Sequence, residues 1–346
     1  MFRILSMFQA AKPVTAVVND TAITVQPKET LLQAALRQGI DFPHSCRVGG
    51  CATCKCRLVE GKVKELTQAG YILSDAELDQ GYILACQSVP RGDVKIAVDL
   101  QSAAARRQVA GRIVAQDKLT HDIVRLVVQL DTSLPYKAGQ FAQLTLDGLP
   151  GVSRSYSFAS PVQPDAKVSF FVRKVPGGRF SSHVHEQALI GQTVTVEGPM
   201  GDFWMRSAEA PLLMVAGGSG LAPVLAMLED ALANGVKRPV TLLFGARTQA
   251  DLYARDIIAT LAQRWPSRFD FVPVLSQEPD ISTWTGLRGL VVDALAEHLV
   301  PTCHAYLCGP PPMVDSVRAQ LLQRGVSSAH IHADRFTTLH DLPAAA

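Results

Sequence analysis

The sequence predicts a multidomain α+β chain with a small β-grasp unit, then an antiparallel β-barrel, then a doubly wound α/β sheet. Three observations predict it. Closely spaced cysteines sit near the front, short strands with Gly/Pro punctuation fill the middle, and strands alternate with helices from residue 211 onward. At 346 residues there is room for two or three separate cores. A 47% hydrophobic, 18% charged composition is globular, and a net charge of +2 argues against a nucleic-acid surface. The seven cysteines, an odd number in two groups, suit metal ligation in a reducing compartment better than a disulfide framework. Without an apolar run near the roughly 20 residues of a membrane span, the expected location is cytoplasmic.

Residues 1–12 read as an extension: the apolar start from Met1 to Phe8 is short and loosely patterned, or else a weak amphipathic anchor toward a membrane partner. The first domain is expected over residues 13–100. Residues 13–25 alternate as a hairpin about Asn19-Asp20, and a helix over about 29–38 carries Leu31, Leu32, Ala35 and Leu36 on one face, with Gly39 as its stop. The loop that follows holds Cys46, Cys51 and Cys54, and Cys86 comes after 31 intervening residues. This is the plant-type spacing for a [2Fe–2S] cluster, with three thiolates on one loop and a distant fourth. Gly49 and Gly50 let that loop bend and leave N–H groups free to face sulfur. Strands are expected near 55–59 and 94–98. Cys56, two residues past Cys54 on a strand, should point away from the cluster. Residues 101–108 lack a core pattern and read as a linker.

The barrel is expected over residues 109–207, with strands near 121–128, 140–146, 167–175 and 193–197. Its motif Arg154-Ser155-Tyr156-Ser157 suits a flavin: a guanidinium for phosphate, a ring to pack, a hydroxyl for the flavin edge. The segment from Val172 and Arg173 through Gly177 and Gly178 to Ser181 and Ser182 is a Gly-Gly turn entering a helix, whose N-terminus can take a pyrophosphate. Each motif alone is also explained as a polar strand end or a simple turn; the pair inside one barrel favours the flavin. His183 and His185 beside it read as packing or surface residues.

The third domain is expected over residues 208–336, with a tail at 337–346. Strands near 212–216, 240–244, 269–275 and 304–307 alternate with helices near 221–232, 252–262, 290–298 and 313–323, a nucleotide-binding pattern. Gly217-Gly218-Ser219-Gly220 joins the first strand to the first helix, the context a phosphate cradle needs, though it is not Gly-x-Gly-x-x-Gly. Cys308-Gly309-Pro310 ends the last strand, where ligands collect in open α/β sheets. Cys308 fits beside a reacting nicotinamide or, alternatively, as a small buried residue; Cys303 reads as inert.

With these motifs in this order, the chain resembles the reductase components of bacterial multicomponent oxygenases, within the ferredoxin–NADP reductase superfamily, and among them those of xylene-type monooxygenases. Gly81-Tyr82, Cys86-Gln87, Pro199, Gly201, Phe203, residues Phe244 to Arg247 and residues Ala333 to Phe336 fit as well. The resemblance implies a [2Fe–2S] cluster on Cys46, Cys51, Cys54 and Cys86, and FAD rather than FMN on Arg154, Tyr156, Ser157 and Ser181. It implies a nicotinamide dinucleotide near Gly217, Gly218, Gly220 and Cys308 to Pro310, with Phe336 over the flavin face. The activity implied is electron transfer from NADH through FAD and the cluster to a separate terminal oxygenase acting on an aromatic hydrocarbon, with peripheral contact to a membrane-bound hydroxylase. NADPH stays open as donor, because Arg247, just past a strand end, could receive a 2′-phosphate. The rivals are a reductase for a Rieske dioxygenase or another hydroxylase, and a non-catalytic iron–sulfur interaction module.

Overall fold

The computed structural model describes residues 12–44, 47–49, 52–67, 69, 72, 73, 75–100 and 106–336. Residues 1–11 of the expected extension, Cys46, Cys51, residues 101–105 of the linker and the 337–346 tail lie outside them. The chain divides into two compact units, residues 1–104 and 105–346.

In the first unit, strands Thr21–Val25, Val14–Val18, Val94–Ala97, Lys55–Glu60 and Tyr82–Leu84 lie side by side in that order. Val14–Val18 runs parallel to Val94–Ala97 while the other pairs are antiparallel, so this is the expected β-grasp sheet. Helix Leu31–Arg37 buries Leu31, Leu32, Ala34 and Ala35. Thr30 starts it with a reciprocal capping box to Gln33, and Gly39 at φ +80° ends it as expected.

The second unit opens with six antiparallel strands ordered Ser153–Ser157, Phe141–Leu146, Thr193–Met200, Arg107–Lys118, Ile123–Leu130, Lys167–Arg173. A bridge between Phe158 and Phe170 joins the two outer strands and closes the barrel. Arg107–Lys118 begins inside the stretch expected to be linker, so Arg107 and Gln108 belong to a strand. Its apolar alternation is thin because Gly111 takes one inward position; a Cβ there would lie 2.6 Å from the Gln129 carbonyl.

The parallel sheet follows, ordered Leu287–Arg288, Phe269–Leu275, Val240–Ala246, Leu212–Gly217, His304–Gly309, Ile331–Arg335. Leu212–Gly217 is buried at every position, as befits a central strand covered on both faces. One face presents Met214, Ala216, Leu242, Phe244, Tyr306 and Cys308 to a core that also takes in Ile123, Phe171 and Phe203 of the barrel. Tyr253 stands edge-on to Phe171 and Phe244 there, at 5.6 and 5.7 Å between centroids. The other face, with Leu213, Val215, Leu243, Ala305 and Leu307, packs on helix Pro311–Gln323 through Val314, Val317 and Leu321. The helix expected over 290–298 shrinks to Leu295–His298, because the Asp293 carboxylate accepts from the Leu290 N–H at 2.9 Å and holds a turn there instead.

Candidate active site

Two of the four expected cluster cysteines are described. Cys54 enters strand Lys55–Glu60 and Cys86 sits in the short 3₁₀ turn Ala85–Gln87; both are buried. The Cys86 N–H points at Cys54 Sγ across 3.4 Å, and the Ala85 N–H bonds the Cys54 carbonyl at 3.0 Å. The Gln87 side-chain amide reaches toward Cys86 Sγ at 3.6 Å and donates to the Arg47 carbonyl at 3.3 Å. Arg47, Gly49 and Ala52 all adopt left-handed backbone, with φ of 59°, 77° and 54°. Left-handed residues at these three positions are the kind of backbone from which nests for negatively charged groups are built. Gly49 is also tightly placed, since a Cβ would meet Gln87 Cγ at 2.8 Å. The approach of Cys86 to Cys54 and the left-handed backbone of the loop thus fit a [2Fe–2S] cluster. Cys56 is buried facing the sheet core, and that burial, with the neighbouring Cys86, pushes its thiol up to about 12.

In the barrel, Arg154 is exposed at the strand Ser153–Ser157 and donates to the Ser153 carbonyl at 2.7 Å, while Ser155 beside it is exposed. Tyr156 tilts against Phe180 at 5.3 Å, and burial pushes its hydroxyl up despite the opposing effect of Arg154. Helix Arg179–Glu186 starts at Gly178, and its first turn leaves backbone N–H groups without acceptors inside the helix. The Ser181 hydroxyl serves this turn, accepting from the Val175 N–H at 3.0 Å and donating to the Gly178 carbonyl at 3.2 Å. The Ser182 N–H is likewise committed to Gly178. What the turn offers a phosphate is therefore backbone N–H more than hydroxyl. Val172 is a buried core residue whose carbonyl accepts from His185 Nε2 at 3.0 Å, which makes His185 a packing residue as expected.

At the end of the parallel sheet two turns interlock. Gly218–Gly220 forms a 3₁₀ turn before helix Leu221–Ala233, so the N–H of Leu221 is already used by Gly218 and Ser219 carbonyls. The open N–H groups lie earlier, in the turn itself. A Cβ on Gly220 would stand 2.3 Å from the Cys308 carbonyl oxygen, so only glycine fits against the adjoining strand end. Tyr253 donates to the Gly218 carbonyl at 2.8 Å, and Ser219 is buried. Pro310 opens helix Pro311–Gln323, and the Phe336 N–H bonds the Gly309 carbonyl at 2.9 Å, seating Phe336 against the apolar core that contains Cys308.

The structure brings together residues far apart in sequence at this point. Ser157, from the barrel, directs its hydroxyl at the Asp334 carboxylate, 3.5 Å away. Asp334 pairs in register with Cys308 across the parallel strands. Burial, reinforced by Asp334, drives the Cys308 thiol well above its ordinary range, so it is a neutral group. Asp334 falls within the Ala333 to Phe336 stretch noted in the sequence, where only Phe336 was given a role; its polar strand, Ile331–Arg335, carries little apolar alternation to announce a sheet edge.

Arg247, the residue the sequence offers to a 2′-phosphate, is paired with carboxylates. Its guanidinium binds Asp251 through Nε at 3.2 Å and Nη2 at 2.8 Å, and Asp122 of the barrel through Nη2 at 3.0 Å. Asp122 also accepts from Arg173 Nε at 3.2 Å. Burial raises the Asp122 carboxyl, but the Thr120 hydroxyl and the Arg247 and Arg173 guanidinium groups outweigh it and leave it below the usual carboxylate range.

Comparison with known proteins agrees with this geometry. Residues 16–91 match the 2Fe-2S iron-sulfur cluster binding domain, 110–204 the oxidoreductase FAD-binding domain and 214–319 the oxidoreductase NAD-binding domain. The xylene/toluene monooxygenase electron transfer component of Pseudomonas putida is 42% identical over 311 residues, 89% of each chain. The chain belongs to the reductase components of multicomponent oxygenases. The phenol 2-monooxygenase reductase component of Pseudomonas sp. strain CF600 is 37% identical over 95% of each chain. Among solved structures, the Amycolatopsis cytochrome P450 reductase superposes with a TM-score of 0.69 at 32% identity, over 94% of this chain and 99% of that one. As a member of this family the chain is an oxidoreductase that uses a [2Fe–2S] cluster, FAD and NADH, and passes electrons to a separate oxygenase protein. The non-catalytic interaction module falls away with this membership. No helix among the described residues is long and apolar enough to cross a membrane.

Proposed function

We propose that Ser157, Cys308, Asp334 and Phe336 form the hydride-transfer site of a reductase for an aromatic-hydrocarbon monooxygenase, and that Cys46, Cys51, Cys54 and Cys86 hold its cluster. The observation that carries this is the meeting of Ser157 with Asp334, which sets a barrel motif directly beside the Cys308 strand end. The bound groups supply hydride acceptance at the flavin and one-electron carriage at the cluster. The residues supply placement. Arg154, Ser155, Tyr156, Val172, Arg173, Gly177, Gly178, Ser181 and Ser182 form the FAD-binding side of the barrel, where the first-turn N–H groups behind Gly178 face phosphate. Gly217 to Gly220, with Gly309 and Pro310, form the dinucleotide side. The neutral Cys308 thiol neither gives nor takes a proton; it fills space where a nicotinamide must lie flat. Phe336, held by its backbone to Gly309 and packed at the edge of the core that contains Cys308, is the ring that would have to yield its place to the nicotinamide.

The domain limits proposed are 13–100 for the cluster domain, 107–207 for the FAD barrel and 208–336 for the nucleotide domain. The monooxygenase assignment is supported by the 42% identity to a xylene/toluene monooxygenase component. The proposal includes a cytoplasmic location, with peripheral contact to a membrane-bound hydroxylase as the electron acceptor. Anaerobic titration of the purified protein with NADH, read by visible absorbance, tests the relay. Both flavin and iron–sulfur bands should bleach, and in Cys54→Ser the flavin band alone should respond. Cluster absorbance persisting in that variant would overturn the ligand assignment.

A further inference from the structure

Arg247 stands where the phosphate of a phosphorylated ribose would arrive. Strand Val240–Ala246 runs parallel to Leu212–Gly217 with Gly245 opposite Gly217, so Arg247 emerges level with the glycine turn. A dinucleotide whose pyrophosphate rests on that turn presents its adenosine ribose to the neighbouring strand end. An uncommitted guanidinium there would favour the 2′-phosphate. This guanidinium is committed, with its Nε–Nη2 edge spent on two carboxylates. His121 adds to the enclosure, with Nδ1 3.4 Å from Asp251 and Nε2 3.3 Å from Arg247 Nη2.

We propose that Asp122 and Asp251 form a latch that withholds Arg247 from a 2′-phosphate and so makes NADH the preferred donor. The inference rests on the nicotinamide site proposed above. Two details set the latch apart from an ordinary surface ion pair. Asp122 comes from the barrel rather than the nucleotide domain, and it is shared with Arg173, whose Nη1 lies 3.8 Å from where a Cβ on Gly218 would sit. The side chains of Asp122 and Asp251 are only 14% and 11% exposed, so water does little to screen them from the two arginines. Two guanidinium groups against two carboxylates leave no surplus positive charge for an incoming dianion. A free 2′-hydroxyl meets no such penalty.

The test is the second-order rate of flavin reduction in the FAD-loaded full chain, measured anaerobically with NADH and with NADPH. The variants are Asp122→Asn, Asp251→Asn and their combination, each with and without Arg247→Ala. In the combined carboxylate variant the NADPH/NADH rate ratio should rise at least about tenfold, the worth of one charge-assisted hydrogen bond. Adding Arg247→Ala should cancel that gain. A ratio within about twofold of wild type in the combined variant overturns the latch. So does a wild-type ratio that falls on Arg247→Ala alone, because Arg247 would then already serve NADPH. If the combined variant loses FAD, Asp122→Asn alone carries the same comparison, since the Arg247–Asp251 turn stays intact. Failure of NADH to bleach the wild-type flavin would sink the underlying site instead, whatever the ratio.

Discussion

Replacing Gly220 by alanine puts a single methyl group into the place where the two ligand-side turns touch. That methyl would lie 2.3 Å from the Cys308 oxygen, 2.6 Å from its carbonyl carbon and 2.8 Å from the Gly309 nitrogen. All three are backbone atoms of a strand end that is buried and paired on both sides, so no flexible side chain can swing clear. Gly220 has φ of −62°, which alanine adopts without strain, so any effect comes from the collision alone. Relief requires the turns to part by about 1 Å, the contact shortfall against an ordinary van der Waals separation. Overpacking of this kind costs about 1–3 kcal/mol, or roughly 6 °C of melting temperature for 2 kcal/mol in a unit this large. The kinetic loss should be greater, because a displacement near 1 Å at a reacting centre costs about a hundredfold. Stopped-flow flavin reduction by NADH, beside thermal unfolding by circular dichroism, measures both. Gly92→Ala is the control, as nothing lies within 4 Å of its would-be Cβ. Wild-type rate and melting temperature in Gly220→Ala would refute the steric reasoning outright.

Ser157→Ala removes the hydroxyl that faces Asp334, and flavin reduction by NADH should slow by roughly threefold to tenfold with the melting temperature little changed; an unaltered rate would remove Ser157 from the site. His332 lies stacked on Tyr306 at 4.8 Å, and burial, then Arg206, His304, His330 and Arg238, pull it from 6.5 down to about 4. Its folded value lies below its unfolded one, so the unfolded chain binds more protons between those limits. Stability should therefore fall as the pH drops from about 6.5 toward 4, by up to about 3 kcal/mol from this group. His332→Gln should flatten that slope in calorimetric melts, and an unchanged slope would assign the acid sensitivity elsewhere.

What could be read from the sequence follows physical lines. Cysteine spacing and the glycine turns are local, since each needs only a few neighbouring residues to express its chemistry, and the helices with a clear apolar face appear near where they were expected. Arg107–Lys118 escaped because Gly111 interrupts its alternation, and Ser153–Ser157 and Ile331–Arg335 because their sequences are polar. The helix over 290–298 was overruled by one carboxylate, that of Asp293. The ion pair of Arg247 with Asp122 was beyond local reading altogether: the two are 125 residues apart, and only the packed barrel brings them together.

The apolar layer shared by barrel and sheet has a consequence for how such chains are assembled. A cut near residue 207 would leave Ile123, Phe171 and Phe203 bare on one fragment and Met214, Phe244 and Tyr253 bare on the other. Exposed surfaces of that kind self-associate before they find a substitute partner. Residues 105–346 should accordingly melt in one cooperative transition. Recombination that exchanges the barrel without its sheet would have to pass through an aggregating intermediate, which makes the pair, and not either half, the heritable module.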